Sequence, residues 1–240
     1  MVLSLLIPTL EARRAQFNEL LAELSRQIHE GGWSSQVEIL GLADAGENSV
    51  GAKRNELVSR ASGLFLAFID DDDRVSSDYV ARICGTIQQN PGIDCIGIRG
   101  EIAFRGGKPR EFIHSIRYRD YFSRNHTYFR PPYHLNPIRR EIAVRYPFAE
   151  VNYSEDVDYA LRMRDDGALQ NEVFIDAVLY YYRSRRQWVY QWVLDETEPL
   201  RHKFGIRLSN RLRVGNSIRP SAEGAANRRN YRGQCRLITG

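Results

Sequence analysis

Apolar residues follow two alternating patterns along the first hundred residues. Short uninterrupted apolar runs are typical of strands buried on both faces of a sheet. Between these runs, apolar residues recur every three or four positions, as on the buried face of an amphipathic helix. The patterns predict strands over residues 3–7, 37–42, 64–69 and 93–98, and helices that end near Gly31, Ser62 and Gln89. This alternation predicts an α/β fold with a mostly parallel central sheet and helices on both faces.

A different pattern begins after residue 98. Between Arg99 and Arg145, eleven Lys and Arg residues accompany four acids, and eight aromatic residues are interleaved with them. We predict a hairpin turn at residues 105–108 and an irregular course from there to Pro137. Aromatic faces are suited to stacking on sugar rings or on unpaired bases, and arginines to phosphate. The alternative is that these aromatics pack in a loop over the sheet.

One more helix is predicted near residue 154. Ser154 is a suitable N-cap, and Gly167 marks the end of the helix. The first turn contains Glu155, Asp156 and Asp158. Acids at this position stabilise the helix dipole by a few tenths of a kcal/mol, which is sufficient to explain them without a catalytic role.

A late strand and a basic tail complete the chain. Residues 172–182 are predicted to form the strand, and the basic cluster that follows includes Arg183 and Arg185. Such a cluster could close over a diphosphate, or it could simply begin the tail. Residues 199–240 contain ten Lys or Arg and one acid, a balance of +9, whereas residues 1–198 contain 24 and 29, a balance of −5. The tail suits nucleic acid, an anionic membrane surface or plain solvation, and we expect it to be mobile unless a partner orders it.

Four adjacent carboxylates, Asp70 to Asp73, follow the strand predicted at residues 64–69. Carboxylates this close raise one another's pKa and repel, so they need a counter-charge. Oxygen ligands on one side only are suited to Mg²⁺ or Mn²⁺ held jointly with substrate phosphates. An EF-hand is excluded, because the sixth and twelfth positions counted from Asp70 are Val75 and Ala81. A solvated acidic turn before the next helix is the alternative to a metal site.

Polar residues also follow the two earlier strands, where Thr9, Glu11 and Asp44 are found. Parallel strands place their carboxyl ends along one edge of a sheet, and ligands of open α/β sheets bind beyond that edge. The sequence therefore predicts a nucleotide-sized site formed by the ends of three strands.

Length and composition narrow the class of protein. A chain of 240 residues with 42% hydrophobic and 27% charged residues is typical of a soluble globular protein with one sizeable core. No apolar run approaches the ~20 residues that span a bilayer, and residues 1–8 are predicted to form a first strand instead of a signal peptide. Cys84, Cys95 and Cys235 are odd in number and lack metal-ligand spacing, so we expect no disulfide framework and a reducing compartment.

Several of these segments resemble family 2 glycosyltransferases, which have the GT-A fold. Residues 3–9 resemble the opening strand of that family, and Asp44 stands where the family has a base-recognising Asp. The segment Gly51-Ala52-Lys53-Arg54-Asn55 resembles the G-x-x-x-R-N helix start with one position fewer between Gly and Arg, and residues 61–73 resemble the A-x-G-x-(apolar)-D-x-D-D segment. The likeness is close to about residue 100 and looser to about residue 185. Because Asp71 fills a usually variable position and the loop at 43–46 lacks a second acid and a Ser, the metal register and the donor nucleotide stay open.

The resemblance implies roles for individual residues. Asp70 and Asp72 would hold a divalent metal, Mn²⁺ or Mg²⁺, on the diphosphate of a nucleoside-diphosphate sugar. Asp156 would be the general base, with Glu155 and Asp158 as alternatives. The residues implied in donor binding are Thr9, Glu11, Asp44, Lys53, Arg54, Asp70, Asp71, Arg183 and Arg185. Those expected to contact the acceptor are Tyr133, His134, Asn136 and Glu155.

These roles predict a metal-dependent inverting glycosyltransferase, either a hexosyl- or a pentosyltransferase. The expected acceptor is a cell-surface glycan, and the protein itself is expected in the cytoplasm or peripherally at the inner membrane leaflet. One alternative is DNA with hydroxymethylated pyrimidines, as in viral base modification in a host cytoplasm. Another is a catalytically inactive nucleotide-sugar-binding protein. A pyrophosphatase or nucleotidyltransferase could use the same acidic cluster but would not need Glu155 and Asp156.

The same reasoning divides the chain into three segments. Residues 1–98 are predicted to form the nucleotide-sugar-binding half of one domain, and residues 99–198 its acceptor-binding and catalytic half. Residues 199–240 are predicted to form a basic, partly flexible extension that could contact a polyanion.

Overall fold

The described residues form eleven strands and five helices. The computed structural model describes residues 1–105, 108–187 and 237–238. The strands are β1 (Leu3–Leu10), β2 (Val37–Asp44), β3 (Phe65–Phe68), β4 (Arg74–Val75), β5 (Cys95–Arg105), β6 (Arg110–His114), β7 (Phe122–Arg124), β8 (Thr127–Arg130), β9 (Ile138–Arg139), β10 (Glu172–Gln187) and β11 (Leu237–Ile238). The helices are α1 (Arg14–Glu30), α2 (Val50–Arg60), α3 (Tyr79–Gln89), α4 (Arg140–Ala143) and α5 (Glu155–Asp165), and a single 3₁₀ turn (Glu11–Arg13) joins β1 to α1.

All strands belong to one mixed sheet. Its order is β11-β2-β1-β3-β9-β5-β6-β8-β7, and β10 pairs with both β5 and β4. The two longest ladders, β1 with β2 and β5 with β10, are parallel, and β1 also pairs in parallel with β3. The carboxyl ends of β1, β2 and β3 therefore meet at one edge, and the α/β fold predicted from the sequence is confirmed.

Helices cover both faces of the sheet, as the apolar runs predicted. Along β1, Leu3, Leu5 and Ile7 pack in one cluster with residues of α1 and α3. Leu6 points the opposite way and packs in a second cluster with residues of α2, α4 and α5. Because successive strand residues point to opposite faces, a continuous apolar run is needed to fill both layers.

The segment that follows the predicted turn at 105–108 differs from its prediction. The sequence predicts an irregular course from there to Pro137, but the antiparallel strand β6 follows and pairs with β5, which continues to Arg105. Strands β7 and β8 form a further hairpin, in which the rings of Phe122 and Phe129 stack with their centroids 4.9 Å apart. The aromatic residues thus extend the sheet. The predicted turn between β5 and β6 includes Gly106 and Gly107, which lie outside the described residues.

A two-residue strand, β9, lies between β3 and β5 and is antiparallel to both. Arg139 anchors it by donating a hydrogen bond from Nε to the Ile93 carbonyl, 2.8 Å away. Just before β9, the amide of Phe68 donates to the carbonyl of His134. This insertion brings His134, which is distant along the chain, to the end of β3.

A buried carboxylate joins the amino ends of β1, β2 and β3. Glu38 in β2 accepts hydrogen bonds from the Ser4 hydroxyl at 2.5 Å and from the amide and hydroxyl of Ser62 at 2.7 and 2.8 Å. Burial opposes the charge of Glu38, but these hydrogen bonds outweigh burial and lower its pKa. Gly63 is needed beside them, because an added Cβ would lie 2.5 Å from the Ser4 amide nitrogen.

Replacing Glu38 with Gln is expected to lower the free energy of unfolding by about 2 kcal/mol at neutral pH, because charge-assisted hydrogen bonds are lost. A folded-state pKa below the unfolded value gives stability that is complete above the unfolded pKa and is lost as the pH falls through the folded one. The difference between wild type and Glu38→Gln should therefore shrink below about pH 4. Urea unfolding at several pH values measures it, and Glu30→Gln on the exposed face of α1 is the control. Equal losses at neutral and acidic pH would contradict this account.

Cys84 and Cys95 are buried free thiols. Among residues 1–105 and 108–187, no helix has the length and apolar character required to cross a membrane. Cys235 and, apart from the backbone of β11, the basic tail at 199–240 lie outside the described residues.

Candidate active site

A cavity of about 740 Å³ lies beyond the carboxyl ends of β1 and β3. Its lining includes Thr9 and Arg13 on one side and the acidic cluster below. The start of α5 and the aromatic strands β5, β6 and β8 form the remaining walls. The cavity is therefore where the strand-end rule placed a nucleotide-sized site.

Lys53 joins the ends of β1 and β2. Its ammonium donates to the Thr9 carbonyl at 2.8 Å and to Asp44 Oδ1 at 2.8 Å. Burial opposes the charge of Asp44, but hydrogen bonds from Lys53 and from the Asn48 amide lower its pKa. Asp44 is thus a fixed, ionised carboxylate at the end of β2.

Arg54 is the next residue of α2 and joins β3 to α5. Its Nη2 donates to Asp70 Oδ1 at 3.0 Å, and its Nε lies 3.4 Å from Glu155 Oε1. The guanidinium lies over the ring of Phe68, 5.0 Å from its centroid, and the side chain is only 3% exposed. Burial disfavours the cation, but Asp70 and Glu155 outweigh burial and raise the pKa of Arg54.

The helix-start motif is explained by the segment that leads to α5. An added Cβ at Gly51 would lie 1.9 Å from the carbonyl oxygen of Ala149, so only glycine fits. The Asn55 amide group donates to the Phe148 carbonyl at 2.9 Å and accepts from the Phe148 amide at 2.7 Å. These contacts fix the start of α5 against α2, and they place Glu155 beside Arg54.

The four adjacent carboxylates face different partners. Asp71 is buried, where it accepts from the Thr9 hydroxyl at 2.6 Å and from Arg13 Nη1 at 2.9 Å. Asp72 lies 3.6 Å from the same Arg13 nitrogen. Asp70 and Asp72 retain partly exposed side chains, at 27% and 22%. Because the cluster is partly buried and paired with arginines, it is not a solvated acidic turn.

Asp73 is buried and turned away from the cavity lining. It accepts hydrogen bonds from the Tyr180 hydroxyl and from the Arg183 amide, both at 2.8 Å. Burial and the charge of Asp70 raise the pKa of Asp73 well above its usual range. Its role is to anchor β10 beneath the site.

Helix α5 presents its first turn to the cavity. Ser154 occupies the N-cap position with a left-handed φ of +65°, and its side chain makes no capping hydrogen bond. Asp156 lines the cavity with 26% of its side chain exposed, whereas Asp158 pairs with Arg162 at 2.8 Å outside the cavity lining. Burial and the adjacent Asp156 raise the pKa of Glu155, against the effect of Arg54. Asp156 is therefore the carboxylate of this turn that is placed to reach a bound molecule.

His134 lies between the two carboxylate centres. Its Nε2 is 3.6 Å from Asp70 Oδ2, and its Nδ1 is 3.7 Å from Asp156 Oδ2. Both distances exceed those of good hydrogen bonds. Arg54 and His134 together outweigh burial and lower the pKa of Asp70. The imidazole thus connects the end of β3 to the first turn of α5.

Sequence reasoning placed some residues in the cavity and missed others. Thr9, Lys53, Arg54, Asp70, Asp71, Asp72, Tyr133, His134, Glu155, Asp156 and Arg183 all line it. Asp44 lies outside the lining, although Lys53, its partner at 2.8 Å, lines the cavity. Glu11 is exposed and also lies outside the lining, because the 3₁₀ turn carries it away from the end of β1. Asn136 is fully buried, and its amide donates to the Ile96 carbonyl, so it supports β9 instead of facing the cavity. Arg185 lies in β10, but its side chain is outside the described residues.

Two arginines were not among the predicted site residues. Arg13 pairs with Asp71, and Arg130 lines the cavity from β8. The many arginines between residues 99 and 145 indicated a basic site there, but nothing in the sequence distinguished Arg130 from the others. Nothing in the sequence pointed to Arg13.

The donor set suits a metal shared with a ligand. Among residues 1–105 and 108–187, no group of three or more His, Cys, Asp or Glu could hold a metal ion by itself. Mg²⁺ and Mn²⁺ commonly use one or two protein carboxylates together with substrate phosphates. Asp72 and Asp70 fit that requirement and do not fit a cage made of protein ligands only.

Comparisons with known proteins identify the fold. No protein-family model and no curated protein sequence matches the chain. The solved structure of residues 1–349 of S. aureus TarS in complex with UDP-GlcNAc matches with a TM-score of 0.58 and 18% identity, over 78% of this chain and 59% of that one. The same protein in complex with UDP matches with a TM-score of 0.57 and 17% identity, over 77% of this chain and 61% of that one. A further structure of TarS residues 1–349 matches with a TM-score of 0.57 and 16% identity, over 76% of this chain and 60% of that one.

The chain spans about 60% of the length of these structures. At this identity the likeness shows the fold alone. The sheet order and the two helical layers correspond to a GT-A-like α/β arrangement, as expected from the sequence.

Proposed function

We propose that this protein is a metal-dependent inverting glycosyltransferase that moves a sugar from a UDP-sugar to a hydroxyl group of a glycan. The observation that carries the proposal is the placement of two carboxylate centres in one cavity. Asp70 and Asp72 lie at the end of β3, Asp156 lies on α5, and His134 connects them. Structures of similar fold hold UDP-GlcNAc and UDP, which supports a uridine nucleotide as the donor.

The donor is proposed to lie across the ends of β1, β2 and β3. Asp44, held by Lys53, would accept hydrogen bonds from the uracil or the ribose. Thr9 and Arg13 fix the shape of this end through Asp71. Arg183 at the cavity edge would approach the diphosphate.

Asp72 and Asp70 would hold the divalent metal beside the diphosphate. A metal at this position supplies positive charge to the departing diphosphate oxygen. Arg54 donates to Asp70 and helps to lower its pKa, and Arg13 lies 3.6 Å from Asp72, so both carboxylates have a cationic neighbour before any ligand arrives.

Asp156 is proposed as the general base. It would take the proton of the acceptor hydroxyl as that oxygen forms a bond to the anomeric carbon. The bond between the anomeric carbon and the diphosphate oxygen breaks on the opposite face, and the electron pair leaves with the nucleoside diphosphate. The product then has the inverted configuration, with the proton on Asp156 released to solvent afterwards.

Calorimetry with UDP and UDP-GlcNAc tests the donor site, and GDP and TDP serve as competitors. With Mn²⁺ present, we expect UDP to bind and EDTA to weaken that binding about tenfold, because a charge-assisted contact is lost. Asp72→Asn should weaken UDP binding to a similar extent and remove the dependence on Mn²⁺, while uridine binding stays unchanged. Asp176→Asn, at an exposed carboxylate of β10, is the matched control. If Asp72→Asn retains the full Mn²⁺ dependence, the metal assignment is wrong.

A further inference from the structure

Arg130 is a cationic residue of the cavity for which the proposed donor and base have no use. It is the last residue of β8, and its guanidinium lies over the rings of Tyr121 and Tyr133, 5.5 and 6.0 Å from their centroids. The side chain is half-buried and lines the cavity together with Phe112 and Tyr128.

The charge of Arg130 is not balanced by a carboxylate contact. Lys53, Arg54 and Arg13 each pair with an acid at 3.0 Å or less. In the part of the chain that the structure describes, Arg130 makes no ion pair and no side-chain hydrogen bond. Burial disfavours the cation, but the neighbouring Tyr133, Tyr121 and Asp156 outweigh burial and raise the pKa of Arg130. A half-buried cation with unused donors is suited to bind an anion from outside the protein.

Arg130 and the acidic cluster belong to different walls of the same cavity. Strand β8 stands four places beyond β3 in the sheet order. The guanidinium lies over the ring of Tyr133, which is itself 4.4 Å from the ring of His134. His134 Nδ1 is 3.7 Å from Asp156 Oδ2, and Asp156, the proposed base, is the carboxylate whose charge helps to raise the pKa of Arg130. An anion bound by Arg130 therefore belongs to the acceptor side.

We propose that Arg130 binds an oxyanion, a phosphate or a carboxylate, that the acceptor glycan carries close to the hydroxyl group to be glycosylated. This inference rests on the proposed function and adds the substrate class. The planar guanidinium offers two parallel donors to such a group.

A short anionic group in a glycan fits better than a long polyanion such as DNA. Residues 1–187 carry 24 basic and 26 acidic side chains, so the described body of the protein has no excess of positive charge. Nucleic-acid binding depends on many basic contacts spread along the backbone. Here the unbalanced cation is a local feature of a concave site.

The test compares paired small molecules on the protein saturated with UDP and Mn²⁺. The probes are sn-glycerol 3-phosphate against glycerol, and D-glucuronate against D-glucose, titrated by calorimetry or NMR. Wild type should bind at least one anionic member about tenfold more tightly than its neutral partner. Arg130→Gln should abolish that preference and Arg130→Lys should keep part of it, while UDP affinity stays unchanged in both variants.

Arg124→Gln is the matched control, because Arg124 is exposed in the same β7–β8 hairpin and lies outside the cavity lining. It removes the same charge and should leave the preference intact. Equal losses in the Arg124 and Arg130 variants, or a wild type without any anion preference, would overturn the inference. Tighter binding of a single-stranded oligonucleotide that falls steeply with salt and weakens equally in both variants would also overturn it.

The same experiment keeps the two proposals apart. Failure of UDP to bind counts against the donor site, and the anion preference is then measured on the unloaded protein. If Arg130→Gln does not fold, the anion preference of wild type and its partial retention in Arg130→Lys decide the matter.

Discussion

Replacing Asp156 with Asn should lower kcat for sugar transfer by about 10²–10⁴-fold and leave the affinity for UDP within about twofold of wild type. The carboxylate is the only group of the first turn of α5 that both lines the cavity and keeps a quarter of its surface exposed among the described residues. Asn has nearly the same shape but cannot accept the proton. Mass spectrometry of the transfer product, with calorimetry of UDP binding, measures both quantities.

Two neighbouring acids provide the controls for this result. Asp158→Asn changes the same chemical group two residues further along the helix, where Asp158 pairs with Arg162, and activity should fall less than threefold. Glu155→Gln should instead lower the free energy of unfolding, because Glu155 is buried beside Arg54. If Asp158→Asn abolishes transfer and Asp156→Asn does not, the base has been assigned to the wrong carboxylate.

The strand ends could be predicted because they depend on local patterns. Continuous apolar runs identified β1, β2 and β3, and the parallel arrangement then required Thr9, Asp44 and Asp70 to share one edge. The structure shows this edge, with Lys53 joining the ends of β1 and β2 and Arg54 attached to β3. Such predictions need only the period of the hydrophobic residues and the direction of the strands.

The direction of individual side chains could not be predicted, because it depends on partners that are distant along the chain. The sequence does not distinguish Asp71 and Asp73 from Asp70 and Asp72. In the structure Asp71 pairs with Arg13, and Asp73 accepts a hydrogen bond from Tyr180. Asn136 looked like a polar residue at the acceptor site, but its amide is needed where β9 enters the sheet. Strand β9 itself is two residues long and gives no periodic signal.

Arg54 is the residue through which the two halves of the site depend on each other. It is buried and lies between Asp70 at the end of β3 and Glu155 at the start of α5, with the rings of Phe68 and Phe148 on its faces. Removing one partner of a buried ion pair leaves an uncompensated charge, which costs about 3–5 kcal/mol. Met has a similar volume to Arg but no charge, so Arg54→Met should lower the free energy of unfolding by about 3–5 kcal/mol, as measured by urea unfolding at pH 7. The same variant should also weaken UDP binding.

Two further variants show whether this loss comes from the charge. Arg60→Met changes the same residue type in the same helix, where Arg60 pairs with Glu56 at the surface, and should cost less than about 1 kcal/mol. Asp70→Asn removes one of the carboxylates that Arg54 compensates. In the double variant Arg54→Met/Asp70→Asn, the loss of stability should be smaller than the sum of the single losses by about 1–3 kcal/mol, because the two side chains are in contact. Strictly additive losses would mean that Arg54 stabilises the site by packing against Phe68 and Phe148, and that its charge on Asp70 contributes little.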